Sequence, residues 1–158
     1  MIRLTSVLTW IWGPLVLVVD YLTKLMVLAN RDILMQRVEV IGDFARFIYV
    51  RNSGAAMGIF PGGRIFLVTV SLLMAIVLVF VWRKISSENK VQRAALSAIW
   101  GGAVGNLIDR VFYDGLVVDF IDLGIGTHRF FTFNVADIGV SIGGAVLFVS
   151  LWLSGDKK

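Results

Sequence analysis

The stretch Ile65–Trp82, IFLVTVSLLMAIVLVFVW, carries no charge over eighteen residues. A bilayer crossing needs ~20 mostly apolar residues. It must also be helical, because in lipid the backbone groups can bond only one another. Working outward, three more uncharged runs share this character: Leu4–Val19, Ala94–Ile108 and Ile138–Gly155. Each reaches spanning length only by taking in polar residues: Asp20 and Lys24, then Asp109 and Arg110, then Asn134 and Asp137. The spacing predicts an all-α polytopic membrane protein with four transmembrane helices. It forms one integral domain over residues 1–158, with spans at about 7–28, 64–82, 93–111 and 135–153. Composition agrees, at 58% hydrophobic and 16% charged, where a soluble domain is nearer half and a quarter.

Four spans alternate in direction, so the ends of spans one and three share a face with the starts of spans two and four. All the polar interruptions fall on that face. Opposite it lies the short basic loop with Arg83, Lys84, Lys90 and Arg93. Its density of positive charge marks the cytoplasmic side, which puts both termini inside and the carboxylates outside. The long outer loop, about 31–62, alternates polar and apolar residues over Gln36–Ile41 and Phe44–Arg51, around Gly42 and Asp43. That is a hairpin signature, so a small extracytoplasmic β-cradle is expected there.

Chemistry is narrowed by what the chain lacks. It has no cysteine and a single histidine, His128, which closes thiol catalysis and two-histidine zinc sites. The net charge of +4 comes without a basic run, so nucleic acid is not an expected partner. A Ser–Lys pair would need Lys24 with Ser53 or Ser141 and has no spacing signature. Carboxylates remain. An acid deep in lipid costs ~2.5–3.5 kcal/mol, so several at one face need a reason. Asp20 and Lys24 have the spacing of a helical ion pair, and Asn106, Asp109 and Arg110 share a helical face as a structural cluster. Asp119 is a lone acid in an apolar stretch, with Asp122 read as its solvated neighbour. Two carboxyl groups held close can share a proton, one activating water and the other polarising a carbonyl. From the residues alone two readings stay open: a paired-carboxylate hydrolase, and a proton- or ion-coupled small membrane transporter.

Five segments occur in order: Asp20 with Lys24; Arg51-Asn52-Ser53-Gly54-Ala55-Ala56; Gly101 to Arg110, which includes Asn106 and Asp109; Val117-Val118-Asp119-Phe120; and Phe133-Asn134-Val135-Ala136-Asp137. Together they resemble the bacterial lipoprotein signal peptidases, signal peptidase II, over nearly the whole chain. The resemblance implies an intramembrane aspartyl endopeptidase that cuts prolipoproteins before a diacylglyceryl-modified cysteine. Asp119 and Asp137 match the family's catalytic pair. Asp20, Lys24, Asn52, Gly54, Asn106, Asp109, Arg110 and Asn134 match positions that support the pair or bind substrate. No metal or cofactor is implied. The implied setting is the bacterial cytoplasmic membrane, with the site at its outer face. The implied partners are diacylglyceryl-modified prolipoproteins and membrane lipids, and the protein is expected to be a monomer. Tyr21 and Ile138 depart from the family's usual glutamine and serine.

Overall fold

The computed structural model describes residues 8–53 and 63–155. Four long helices dominate: α1 (Trp12–Ala29), α3 (Gly63–Lys84), α4 (Lys90–Phe112) and α5 (Val135–Gly155). A single helical turn, α2 (Arg31–Leu34), follows α1. Four strands complete the fold: β1 (Val38–Ile41), β2 (Ala45–Asn52), β3 (Val117–Ile125) and β4 (His128–Arg129).

Three helices, Leu8–Ala29, Gly63–Lys84 and Val135–Ser154, are long and apolar enough to cross a membrane. Helix α4 is not among them, because Lys90, Arg93, Asp109 and Arg110 lie within it. It is nevertheless the packing centre, with α1, α3 and α5 all set against it. Glycines permit that closeness. A Cβ on Gly101 would collide with the Gly13 backbone, and one on Gly102 with the Ala136 carbonyl.

Burial is inverted relative to a soluble protein. The largest fully buried side chains are Val118, Asn134, Asp20, Asp119 and Ser97, four of them polar. The exterior carries Ile65 at 81% exposure, Phe148 at 71% and Trp152 at 65%. Such a surface is consistent with burial in a membrane.

The expected hairpin is present: β1 and β2 are antiparallel around Gly42, whose φ of 46° suits glycine. The sheet extends further than the loop reading placed it, with strands in the order β1-β2-β3-β4. Strand β3 comes from the segment after α4, where three apolar residues and a lone acid gave no clear alternation. It pairs with the whole length of β2. Its alternate side chains, Val118 and Phe120, pack with Val27 and Leu34. This turns Asp119 to the opposite side.

Asp122 is the clearest correction. Expected to be solvated, it is 5% exposed. Arg46 donates to it from β2 at 3.0 Å, and Arg129 from β4 at 2.8 Å. Burial alone would raise its pKa, but these hydrogen bonds and charges outweigh burial and hold the carboxyl below its usual range. The clamp joins three strands through one carboxylate.

Candidate active site

Sequence-distant elements converge where the sheet meets the helix ends. Strand β3 brings Asp119, 2% exposed. Its neighbour Ile121 pairs with Phe133 through two backbone bonds, Ile121 N–H to Phe133 O at 2.8 Å and the reverse at 3.1 Å. That bridge sets Asn134 beside Asp119 just before α5 begins. Asn134 and Asp137 then cap the helix reciprocally. The Asp137 N–H donates to Asn134 Oδ1 at 3.0 Å, and the Asn134 N–H donates to Asp137 Oδ2 at 3.2 Å.

Both acids are bound to the same asparagine. Asn134 Nδ2 donates to Asp119 Oδ1 at 2.7 Å, while its backbone N–H serves Asp137. Asn52, at the end of β2, donates to the other Asp119 oxygen at 2.8 Å. Asn106 on α4 donates to Asp137 Oδ1 at 2.8 Å and accepts from Asn134 at 3.1 Å. Burial pushes the Asp119 pKa up to about 6; Asn52's hydrogen bond opposes this and the Asp137 charge adds to it.

Beneath lies a buried ion cluster. Lys24 Nζ sits 2.8 Å from Asp20, 2.9 Å from Asp109 and 3.1 Å from Asn106 Oδ1. The local Asp20–Lys24 pair is therefore present, but Asp109 pairs with Lys24 across helices. The cluster expected between Asp109 and Arg110 is not formed. Arg110 instead reaches Ser71 on α3 at 3.3 Å. Lys24 serves carboxylates and an amide, so it does not form the Ser–Lys pair weighed above. Gly54 lies outside the described residues.

A cavity of about 510 Å³ opens over Asp137, lined also by Asn52, Phe131, Phe133, Ile138 and Ser141. The aromatic run Phe130–Phe133 lines the same cavity, and its place beside an acid depends on the bridge from β3 to Phe133. Two contacts invisible in the sequence are backbone ones. The Ala136 N–H donates to Asp20 at 2.8 Å, and the Val118 N–H to Asp109 at 2.9 Å. Chemically, the arrangement offers a buried acid whose pKa is raised and a second, half-buried acid facing a cavity.

Residues 14–153 match the family described as signal peptidase (SPase) II. A lipoprotein signal peptidase of Symbiobacterium thermophilum is 42% identical over 136 residues, covering 86% of this chain and 88% of that protein. One from Actinobacillus succinogenes is 36% identical over 158 residues, covering 97% and 95%. A solved structure described as a bacterial membrane enzyme, determined by the in meso method at 2.3 Å resolution, superposes with a TM-score of 0.83 at 33% identity. It covers all of this chain and 94% of its own. A second such structure, at 1.9 Å, gives a TM-score of 0.81 at 34% identity, covering 96% and 94%.

Proposed function

The chain belongs to the signal peptidase II family, proteases that remove signal peptides from prolipoproteins, and on that footing we propose that it is an aspartyl endopeptidase using Asp119 and Asp137. The bond cleaved is the one before the diacylglyceryl-modified cysteine. The observation that carries this reading is the shared partner: Asn134 hydrogen-bonds both acids, one through its side chain and one through its backbone.

The two environments divide the labour. Asp137, facing the cavity, takes a proton from water as the water oxygen attacks the scissile carbonyl carbon. Asp119, whose pKa is raised, gives its proton to the carbonyl oxygen. In the resulting gem-diol, Asp137 passes its proton to the departing amine nitrogen. The C–N bond breaks, and Asp119 recovers a proton from a diol hydroxyl. Atoms balance as one water consumed per bond, and no cofactor is needed.

In this reading α4 also crosses the membrane, with Arg93, Asp109 and Arg110 turned into the bundle rather than toward lipid. Both termini are cytoplasmic, and the sheet and acids sit at the outer face of the bacterial inner membrane. The enzyme works as a monomer. The acylated cysteine approaches with its chains still in the bilayer.

The test is cleavage of a diacylglyceryl-modified prolipoprotein by purified Asp119→Asn and Asp137→Asn in detergent. Both variants are expected to be inactive while keeping wild-type helix content. Wild-type-like turnover by either one would remove the dyad.

A further inference from the structure

The cavity over Asp137 continues past the acid along α5. Asp137 and Ser141 are four residues apart on that helix, so they share a face, with Ser141 about 6 Å further along the axis. Both line the cavity, together with Ile138 and Ile142 of the same helix. Ile142 is 60% exposed, so the inner end of the cavity lies against the apolar exterior.

Ser141 is the polar exception on this wall. A hydroxyl in a spanning helix can return its proton to a carbonyl one turn back. Thr23 does so to Val19 at 2.8 Å, and Ser154 to Ser150 at 2.7 Å. Ser141 makes no side-chain hydrogen bond among the described residues. Thr69 and Ser150 share that freedom, but neither lines this cavity. Thr132 lines it and is likewise unbonded, yet it belongs to the aromatic run beside the sheet rather than to the span.

An open hydroxyl one turn inward from a reacting acid, on an apolar wall, is matched by an acceptor that enters with the substrate. Position selects which one. From the scissile nitrogen the modified cysteine runs through Cα, Cβ, sulfur, two glyceryl carbons and an oxygen to the first ester carbonyl. That is seven bonds, up to about 9 Å when extended, and the step of about 6 Å to Ser141 falls within it. Direction agrees as well. The acyl chains stay in hydrocarbon, so their esters lie on the membrane side of the scissile bond, and the chains beyond them pass Ile142. A peptide carbonyl at this depth would bring an N–H with it, and Ile138 and Ile142 offer that group no side-chain acceptor.

We propose that Ser141 is a specificity-determining residue that contacts the substrate: its hydroxyl donates to an ester carbonyl of the diacylglyceryl group, so the enzyme reads how the chains are linked to glycerol. This rests on the dyad reading above, which sets the scissile bond at Asp137. An ether-linked chain has two hydrogens where the ester has its carbonyl oxygen. It leaves the Ser141 hydroxyl without an acceptor, and a site built to hydrogen-bond discriminates against the analogue that lacks the group.

The test compares two prolipoprotein substrates with chains of equal length, one carrying a diacylglyceryl group and the other a dialkylglyceryl ether. In detergent, wild type is expected to favour the ester in kcat/KM by about 2- to 10-fold, the scale of one neutral hydrogen bond. Ser141→Ala is expected to lose that preference. Its ester cleavage weakens through KM, because the contact is present both before and during the reaction, while ether cleavage stays as it was. Ser141→Thr keeps the hydroxyl and with it the preference. Alanine is a good helix former, and a thermal melt in the same detergent checks the fold. Where the ether substrate turns over too slowly, its inhibition constant against the ester replaces KM, with the same expectation.

A wild type without preference, a preference that survives Ser141→Ala, an equal slowing of both substrates, or loss of all turnover or of the fold overturns the proposal. A preference lost in Thr132→Val and kept in Ser141→Ala moves the contact to the rim and overturns it too. Asp119→Asn and Asp137→Asn run on both substrates: activity in either defeats the dyad itself, whereas their inactivity with an unchanged preference in Ser141→Ala defeats only this inference.

Discussion

Asp20 and Ala136 stand 116 positions apart, yet the Asp20 carboxylate accepts the Ala136 backbone N–H at 2.8 Å in a fully buried contact. A carboxylate in the first helix thus sets where the last helix begins, one residue before the acid that faces the cavity. A buried N–H left without its acceptor costs about 1–3 kcal/mol, so the contact constrains where that helix starts.

Asp20→Ala is therefore expected to lower kcat about 100-fold with KM little changed, and to reduce thermal stability. Asp20→Asn keeps an acceptor for Ala136 and is expected to fall between. Steady-state kinetics on prolipoprotein, with thermal melts in the same detergent, check both. Equal activity of Asp20→Ala and wild type would contradict the constraint.

Gly105 faces the same carboxylate. A Cβ there would lie 2.6 Å from Asp20 Oδ2, an atom already held at 2.8 Å by Lys24. The carboxylate cannot retreat cheaply, so Gly105→Ala is expected to displace it and cut kcat about tenfold or more. Gly144 offers a control, since a Cβ there meets nothing within 4 Å. Gly144→Ala is expected to behave as wild type in the same cleavage assay.

The raised pKa of Asp119 predicts a pH-dependent stability. Its folded pKa of about 6 lies above the ordinary 3.8, so the native state binds the proton more tightly than the unfolded state. The protonated acid favours folding fully below pH 3.8, and that contribution is lost as pH rises through 6. A shift of this size corresponds to about 3 kcal/mol. Whatever the offset at pH 4, the Tm of Asp119→Asn relative to wild type is expected to rise between pH 4 and pH 7. A flat difference across that range would show that Asp119 ionises as freely as in the unfolded chain.

Asp122 has the opposite sign. Its folded pKa is lowered against its burial by Arg129 and Arg46, so it stabilises above its unfolded pKa and the contribution fades as pH falls through the carboxylate range. Asp122→Asn is expected to cost about 2 kcal/mol at pH 7 and progressively less below pH 4. Melts at pH 7 and pH 3.5 distinguish this from a pH-independent packing loss. Activity is expected to fall with it, because the clamp holds β3 in register and β3 carries Asp119.

The apolar runs, the Gly42–Asp43 hairpin and the polar residues at the helix ends were readable in the chain because each is a local pattern. An uncharged stretch such as Ile65–Trp82 has few stable alternatives to a helix, whatever surrounds it. The acids of the candidate pair could be selected from the motif Val117–Phe120 and the segment Phe133–Asp137. Strand β3 was not readable, because Val117, Val118 and Phe120 are apolar without alternation and the acid among them signals nothing about pairing. The fate of Asp122 was no better marked: whether a carboxylate is solvated depends on which arginines arrive, and Arg46 and Arg129 arrive from other strands.

The residues alone thus decided the kind of molecule: apolar helices with acids kept at their ends, a matter of composition and period. Only the tertiary structure decided which groups each acid is bonded to. That choice rests on the Ile121–Phe133 bridge, the Asn134 cap and the three contacts of Lys24, all made between groups far apart in the chain. Hydrogen bonds are directional over about 3 Å, and no spacing along a chain encodes a distance that short between separate elements.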